Sequence, residues 1–518
     1  MQGENIFFSP EDKIKIAKKI DAMGIDYIEG GWPGSNPGAV EFFKLAQDVN
    51  FKNAKIAAFG STRHPDKRVE DDKNLNALIE SRAEVITIFG KSWDLHVEKI
   101  MNNSRENNLD MITQSAAYLN GHGREVIYDA EHFFDGYKDN PEYALNTLEA
   151  AVKGKSRTLV LCDTNGGTLP SEITGITKAV KEYFKKAGFD DIILGIHAHN
   201  DCALAVANSL AAVEQGASMV HGTINGYGER CGNADLTAII PILTKKLNIH
   251  CISDKNLKQL LSLSRFVSEA ANIPPLGNRP FVGKSAFAHK GGIHVSAVNK
   301  LPRAYEHMDP ELVGNQRRVL VSEQSGKSNI EYKARELGVD LKNDKRNGIN
   351  IVSSIKELEN YGYEFDIADG SLKLLMEKLT GQFRPKFELE SFRVSVEKDR
   401  ERPCYSHAMI KIKVGNDFEI TSAEGDGPVS ALDNALRKAL STIYPKLNNM
   451  RLVDFKVRVI DGVDGTKARV RVLIESRDEN NVFTTVGVSE DIIEASWQAL
   501  ADSFQYKLSL DNEEKMNQ

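Results

Sequence analysis

Seven short apolar segments rich in β-forming residues, each separated from the next by a helical stretch, fill the first 226 residues of the chain. Such alternation is typical of right-handed βαβ units and predicts a parallel sheet covered by helices. The first helix is predicted to begin after Ser9, a capping residue, and to stop at Gly24. The predicted strands are IDYIEGG, AKIAAFG, EVITIFG, REVIYDAE, RTLVLCDT, DIILGIHAHN and MVHGTING.

The number of predicted strands is one fewer than a (β/α)₈ barrel needs to close. An open barrel would leave two unpaired strand edges in solvent. We therefore predict an α/β fold in which residues 1–253 form a TIM barrel that lacks its first strand. We expect the missing strand to be one that would precede Met1.

The remainder of the chain changes character twice. Residues 254–385 show helical periodicity interrupted by Pro- and Gly-containing loops, which predicts helical linker subdomains. Residues 386–510 twice show three alternating strands followed by a helix, at about 428–443 and 489–507, which predicts an α+β regulatory and dimerisation domain of two βββα repeats. Residues 511–518 are expected to form a polar tail.

Composition narrows the function classes. A net charge of −7 with intermixed acids and bases gives no electropositive surface for nucleic acid or an anionic membrane. The sequence has no apolar stretch of the roughly 20 residues that a spanning helix needs and no signal peptide. The five scattered cysteines indicate neither a disulfide framework nor a thiolate zinc site. A cytoplasmic protein acting on small molecules is predicted.

His197 and His199 form the most informative local pattern. They end the sixth predicted strand, and residues i and i+2 of a strand point to one side, so both imidazoles are expected at the barrel mouth. Imidazoles with oxygen ligands suit a divalent metal, although such a pair is also common as ordinary polar residues at a strand end. The Gly-rich loop NGYGERCGN could bring Asn233 beside them, or could be a plain barrel loop.

Several longer motifs occur in a fixed order: IEGGWPGSNP, DAEHFFDG, LCDTNGG, HAHND, GYGERCGN, AHKGGIHVSA and GDGPVSA. With these motifs the chain resembles, over nearly its whole length, the citramalate and isopropylmalate synthase family of the DRE-TIM metallolyase superfamily. The resemblance implies a condensation of acetyl-CoA with a 2-oxo acid, and the GGWPGSNP segment favours pyruvate. It also implies a divalent metal ion, Mg, Mn or Zn, which would polarise the ketone of the 2-oxo acid.

The resemblance assigns roles to individual residues. His197 and His199 would bind the metal, with Asn233 as a third ligand or near neighbour. Glu131 would help to deprotonate the methyl group of acetyl-CoA, and Thr164 would contact the carboxylate of the 2-oxo acid. Without the resemblance, Glu131 is interpreted as an ordinary solvated glutamate that precedes a helix, and Thr164 as an ordinary threonine at the end of a strand.

Further roles lie in the linker and the C-terminal module. His294 and Tyr305 match linker residues that reach the active site of a partner subunit, although a lone loop His or Tyr is more often structural. The loop Gly425, Asp426, Gly427 and Pro428 matches the effector site of the regulatory domain, and otherwise reads as a generic turn. The resemblance implies a homodimer with isoleucine as its feedback effector.

One departure from the family pattern concerns the opening motif D-[TS]-T-L-R-D-G-x-Q. Gln2 aligns with its last letter, so the substrate-binding arginine and a metal-ligating aspartate are absent from these residues, and Glu29 lacks the arginine that the family pairs with it. We interpret Met1 as an internal methionine and expect the 518-residue chain to be impaired.

Three rival interpretations stay open on the sequence. A 2-isopropylmalate synthase or another 2-oxo acid acyltransferase would share the reacting atoms. A retro-aldol lyase or carboxyltransferase could use the same barrel, although the linker motif and C-terminal module favour a synthase. A catalytically dead barrel with a sensing or dimerisation role would fit the missing strand.

Overall fold

The computed structural model describes residues 3–341, 345–398, 400, 403–460 and 468–516. The chain divides into two compact units. The first contains the residues up to Phe287 together with Met308–Gln316, and the second contains Ala288–His307 and the residues from Arg317 onward.

The first unit is built on a seven-stranded parallel sheet whose strands follow one another in chain order, which confirms the predicted fold. The outermost strands of this order are β1 and β7. The strands are β1 Tyr27–Gly31, β2 Lys55–Ser61, β3 Val85–Lys91, β4 Glu125–Glu131, β5 Thr158–Asp163, β6 Ile193–Ala198 and β7 Met219–His221.

Helices connect and cover these strands, as the alternating pattern predicts. The first begins where expected, because the Ser9 hydroxyl accepts the Asp12 N–H, and it ends at Gly24 in the left-handed region at φ 86°. The helices of this unit are α1 Pro10–Met23, α2 Pro37–Gln47, α3 Lys73–Glu80, α4 Arg105–Gly121, α5 Phe133–Asp139, α6 Pro141–Lys153, α7 Pro170–Lys186, α8 Ala205–Glu214, α9 Leu236–Lys245, α10 Asp254–Leu257 and α11 Leu260–Ala270.

Alternation along the strands separates two faces. In β4, Val126, Tyr128 and Ala130 join the core between sheet and helices. Ile127 belongs to a smaller cluster inside the sheet, with Ala57, Val85, Val160 and Cys162. The residues that follow Ile127 at intervals of two, Asp129 and Glu131, therefore lie on the inner face at the carboxyl end of the strand.

The second unit begins with the linker residues. Two short strands, β8 Ala288–His289 and β9 Arg318–Val319, pair in parallel in a region where only helices were predicted. The pairing gives partners to backbone groups of both segments. The linker helices are α12 Gly292–Lys300, α13 Lys327–Glu336, α14 Lys345–Tyr361 and α15 Asp369–Leu379.

Two antiparallel three-stranded sheets, each followed by a helix, complete the unit as the βββα pattern predicts. The final helix runs past its expected end near residue 507 to Met516, since the segment contains the helix-forming Leu, Glu, Lys and Met. Residue 461, with which the first strand of the second repeat was predicted to end, and residues 517 and 518 of the expected polar tail lie outside the described residues, as do residues 462–467. The elements are β10 Glu388–Glu397, β11 Tyr405–Val414, β12 Asp417–Gly425, α16 Pro428–Leu440, β13 Arg451–Val459, β14 Val470–Arg477, β15 Val482–Ser489 and α17 Ile492–Met516.

Among the described residues, no helix is both long enough and apolar enough to cross a membrane.

Candidate active site

Polar side chains collect on the inner face of the sheet where its strands end, the place where barrels of this kind hold their active sites. Neighbouring strands are in register there, with Lys91 beside Glu131, Cys162 beside His197, and His197 beside His221. Because the strands are parallel, their carboxyl ends bring these groups together. The cluster comprises Glu29 of β1, Lys91 of β3, Asp129 and Glu131 of β4, His197 of β6 and His221 of β7.

His197 lies between two groups of possible ligands. Its Nδ1 faces Asp129 Oδ2 at 4.0 Å, and His221 Nδ1 lies 3.8 Å from the same oxygen. Ligand atoms of Asp129, His197 and His221 all lie within 4.8 Å of one another. On the other side, His197 Nε2 lies 3.0 Å from Asn233 Nδ2, and the His199 ring stacks on His197 with centroids 5.4 Å apart.

A tight loop after β7 positions Asn233 beside His197. Asn233 forms an isolated bridge with His199, and its N–H donates to the Gly226 carbonyl. A Cβ at Gly228 would lie 1.9 Å from Asn233 Oδ1, and Gly232 has φ 92°, so this approach needs glycine at both positions. The glycine pattern therefore predicted the proximity of Asn233 correctly.

The electrostatics of the cluster suit a cation. Burial raises the pKa of Asp129 well above its usual range, and Glu29 and Glu131 add to the shift. Burial lowers the pKa of His197 and His199, and lowers that of His221 to about 4, so all three imidazoles are neutral at pH 7. Metals bind neutral imidazoles and ionised carboxylates, so the three histidines are in a state that can coordinate, whereas the raised pKa of Asp129 favours its protonated form and Asp129 would lose its proton when a metal binds.

Unpaired atoms point to the same conclusion. Asp129 Oδ1, His197 Nδ1 and His199 Nδ1 are buried and lack a hydrogen-bond partner among the described residues. Buried polar atoms normally have partners, and an unsatisfied group costs roughly 1–3 kcal/mol. A metal ion would give such atoms a partner, so the residues fit a metal site.

Glu29 lies on the inner face of β1 near the carboxylates of β4. Water reaches its side chain, yet the surrounding strands remove enough solvent to raise its pKa to about 7. Its charge is part of what raises the pKa of Asp129. A cation placed between these carboxylates would relieve their mutual repulsion.

Two further contacts involve predicted site residues. The carboxylate of Glu131 forms an ion pair with the ammonium of Lys91, and both side chains are less than one quarter exposed. The Thr164 hydroxyl accepts the His132 N–H at 2.9 Å, where His132 has the left-handed φ of 57°. This bond leaves the Thr164 O–H free to donate, as a contact with a substrate carboxylate requires.

A cavity of about 490 Å³ opens beside the carboxyl ends of β2 and β3. Four cationic side chains and one carboxylate, Asp72, line it. Arg63 is only 6% exposed, and the four acceptors of its guanidinium hydrogen bonds, on Gln114, His64, Pro65 and Asn107, are all uncharged. No carboxylate of the described residues forms an ion pair with Arg63, and a buried cation in that position favours an anionic ligand nearby. The cationic lining consists of Arg63, Lys67, Lys73 and Lys91.

The remaining predicted site residues belong to the second unit. His294 of α12 and Tyr305 stack with ring centroids 4.3 Å apart, and both side chains are exposed. Gly425 ends β12, Asp426 is exposed, and Gly427 and Pro428 begin α16. The structure thus places two solvent-accessible features where the catalytic and effector roles were predicted, while the roles themselves stay predictions.

Comparison with known proteins accounts for both units. The HMGL-like family matches residues 1–267, the homocitrate synthase post-HMGL domain-like family matches 281–362, and the LeuA allosteric (dimerisation) domain matches 366–508. An (R)-citramalate synthase from Aquifex aeolicus is 53% identical over 99% of this chain and 96% of its own length. The chain belongs to the citramalate synthase family. An (R)-citramalate synthase from Geobacter sulfurreducens is 52% identical over 98% of this chain and 95% of its own length.

More distant relatives extend the comparison. A 2-isopropylmalate synthase from Methanocaldococcus jannaschii is 31% identical over 97% of this chain and 91% of its own length. The drop in identity at nearly constant coverage shows that the domain order is shared, while this chain is more similar to the citramalate synthases of Aquifex aeolicus and Geobacter sulfurreducens. The resemblance drawn from the motifs is therefore confirmed.

For this member of the citramalate synthase family, sequence reasoning missed Asp129, His221 and Lys91. Two signals were available. Asp129 precedes Glu131 by two residues on one strand and so must share its face, and His221 ends the strand next to the HxH strand. Lys91 directly follows the predicted strand EVITIFG and is the last residue of β3, and only the register of β3 with β4 shows that it meets Glu131.

The two groups around His197 can be separated by experiment. We expect His199→Ala to reduce bound metal strongly, because the His199 ring stacks on His197 and His197 Nε2 faces Asn233. Asp129, which faces His197 Nδ1, would hold the ring in orientation. His221→Ala should reduce it less. Metal content after dialysis, measured by inductively coupled plasma mass spectrometry, checks this. The reverse order would assign the ion to Asp129, His197 and His221.

Acid should destabilise the first unit through His221. Its pKa is about 4 in the folded protein against an ordinary value of 6.5, so the unfolded chain binds a proton that the fold excludes. The proton excluded from His221 therefore lowers the free energy of unfolding as the pH falls from about 6.5 to about 4, by at most about 3 kcal/mol. Because the raised pKa of Glu29 acts in the opposite direction, urea unfolding in metal-free buffer should be compared with His221→Asn. Equal pH slopes for both proteins would contradict the assignment.

Proposed function

We propose that the chain catalyses the condensation of acetyl-CoA with pyruvate and water to give (R)-citramalate and CoA, as an acyltransferase that converts the acyl group into an alkyl group on transfer. The observation that carries this proposal is the cluster of Glu131, Asp129 and three neutral histidines at the carboxyl ends of the strands, in a chain of the citramalate synthase family. The reaction would supply the first step of a pyruvate route to isoleucine.

The residues divide the chemistry between them. Glu131 would accept a proton from the methyl group of acetyl-CoA, a step worth typically about 10²- to 10⁴-fold when the base is positioned. The C–H electron pair would form the enolate, whose carbon attacks the ketone of pyruvate, and hydrolysis of the thioester would release CoA. Thr164 and Glu29 would contact the 2-oxo acid.

The metal would be Mg²⁺, Mn²⁺ or Zn²⁺, held by His197, His199 and Asn233, with Asp129 oriented towards His197 Nδ1. When bound, it would polarise the ketone and stabilise the alkoxide that forms there. The neutral imidazoles and unpaired buried atoms support this assignment.

The cationic cavity supports acetyl-CoA as the co-substrate. Arg63, Lys67 and Lys73 offer positive charge to the phosphates of a nucleotide thioester, and Lys91 belongs both to this cavity and to the ion pair with Glu131. A ligand whose phosphates lie at the cavity could therefore present its thioester to Glu131.

Dimerisation and feedback regulation are part of the proposal. The C-terminal sheets expose Val396, Met409, Phe418 and Ile420, apolar residues of a module that matches the LeuA allosteric (dimerisation) domain. We place isoleucine at the Gly425–Pro428 loop and the paired rings of His294 and Tyr305 in the active site of the partner subunit. Isoleucine inhibition that disappears in Asp426→Ala, with kcat unchanged, would support the effector site.

We place the enzyme in the cytoplasm, which its five free cysteines support.

The testing experiment measures CoA release from acetyl-CoA with pyruvate and, separately, with 2-oxoisovalerate, in the presence of Mg²⁺ or Mn²⁺. It compares the 518-residue chain with a version extended upstream by the opening motif. We expect activity with pyruvate, and higher activity in the extended protein, because the motif's arginine would pair with Glu29. Preference for 2-oxoisovalerate would indicate 2-isopropylmalate synthesis, and no release with either acid would contradict the proposal.

A further inference from the structure

Lys91 is the cation that touches the proposed base. It ends β3 directly beside Glu131 in the parallel register, and the Ser92 N–H donates to the Glu131 carbonyl at 3.1 Å, which fixes the two strand ends together. The Lys91 ammonium contacts the Glu131 carboxylate, with side chains 22% and 23% exposed. The ammonium is therefore held at one oxygen of the carboxylate and leaves the other oxygen available.

A purely structural ion pair is a poor explanation of this contact. Removing two charges from water costs several kcal/mol per ion, which their attraction repays only with good geometry, and an apolar pair would stabilise the strands as well. The same sheet has another cross-strand Lys–Glu pair, Lys55 with Glu125 at 2.7 Å, at the amino ends of β2 and β4 and more exposed than the Lys91–Glu131 pair. Lys91 instead lies at the carboxyl end and also lines the cationic cavity, so a ligand can reach it.

The chemistry needs a donor at this position. When a base removes a proton from the α-carbon of a thioester, negative charge appears on the thioester oxygen, which is two bonds from that carbon. A group that stabilises this oxygen must therefore lie next to the base. Preorganised donors aimed at developing charge are typically worth about 10²- to 10³-fold in rate.

We propose that Lys91 is a catalytic residue whose ammonium stabilises the enolate oxygen of acetyl-CoA while Glu131 takes the methyl proton. The C–H bond breaks, its proton goes to the Glu131 carboxylate, its electron pair forms the C=C bond, and the carbonyl pair moves onto oxygen. Lys91 keeps its proton and donates a hydrogen bond. When the enolate carbon bonds to the ketone, the thioester carbonyl forms again. This inference rests on the proposed function.

The test follows exchange of the acetyl-CoA methyl protons with D₂O by NMR, in the presence of oxamate, an isostere of pyruvate, and the metal. It uses the 518-residue chain and the upstream-extended version. We expect Lys91→Met to slow exchange and lower kcat by about 10²- to 10³-fold, with metal content unchanged. Lys91→Arg, which keeps the charge, should recover part of the exchange. Lys55→Met, which removes the other Lys–Glu pair, is the matched control and should exchange normally.

The outcomes separate the two proposals. Exchange in Lys91→Met as fast as in the unaltered protein, with an intact thermal transition, would make Lys91 merely structural and overturn the inference. Exchange that depends on Lys91 without CoA release from pyruvate would contradict the choice of pyruvate and leave the role of Lys91 supported. Absence of exchange in the unaltered protein would overturn both.

Discussion

His197→Ala is expected to remove the bound metal and to lower kcat for the condensation by about 10³-fold or more. Polarisation of the ketone is worth several kcal/mol of transition-state stabilisation, and each 1.36 kcal/mol corresponds to about tenfold in rate. The effect should be the largest of any single histidine because His197 is common to both groups of ligands. Its two ring nitrogens face Asp129 at 4.0 Å and Asn233 at 3.0 Å.

The measurement combines metal content with CoA release under saturating pyruvate. His250→Ala, an exposed histidine of the same unit, is the matched control and should keep both. Added Mg²⁺ or Mn²⁺ should not restore His197→Ala, since the missing nitrogen is needed at any metal concentration. Full activity in a metal-depleted His197→Ala protein would contradict a metal at this site.

Glu131→Gln is expected to have the second-largest effect, a loss of about 10²- to 10⁴-fold in kcat with little change in the KM for pyruvate. Glutamine has the same size and can still accept a hydrogen bond from Lys91, so the strand ends should stay in place. What disappears is the carboxylate that takes the proton from the methyl group. A fall in kcat with KM unchanged indicates an interaction made only in the transition state.

The control for this variant is Glu84→Gln, an exposed glutamate that directly precedes β3. Exchange of the methyl protons with D₂O should fall with kcat in Glu131→Gln and stay normal in Glu84→Gln. If Glu131→Gln exchanges protons at the normal rate and fails only in CoA release, another group is the base and Glu131 acts later in the reaction.

The order of elements was predictable because local patterns fix it. Alternating apolar residues specify the seven strands, and caps such as Ser9 and Gly24 specify where a helix begins and ends. The structure differs from the prediction in two places, each for an identifiable reason. The final helix continues to Met516 because residues near its end have a high helix propensity, which the apolar pattern does not reveal. The strands β8 and β9 were not predicted because their pairing joins residues far apart in the chain.

The candidate site was predictable only in part. His197, His199 and Glu131 occur in motifs whose position at strand ends indicates chemistry, and the glycines around Gly228 indicated a loop tight enough to bring Asn233 close. Asp129 begins the motif DAEHFFDG but was given no role there, and His221 lies in none of these motifs. Their importance depends on lying close to His197, and proximity between different strands cannot be read from the residue itself.

The barrel strands, their order, the duplicated C-terminal module and the membership of the citramalate synthase family were all predictable from the sequence, because each depends on residues close together in the chain or on motifs. The tertiary structure alone decided which side chains meet across strands. The contact of Lys91 with Glu131 and the two faces of His197 depend on strand register, since a shift of one residue would turn every side chain to the opposite face.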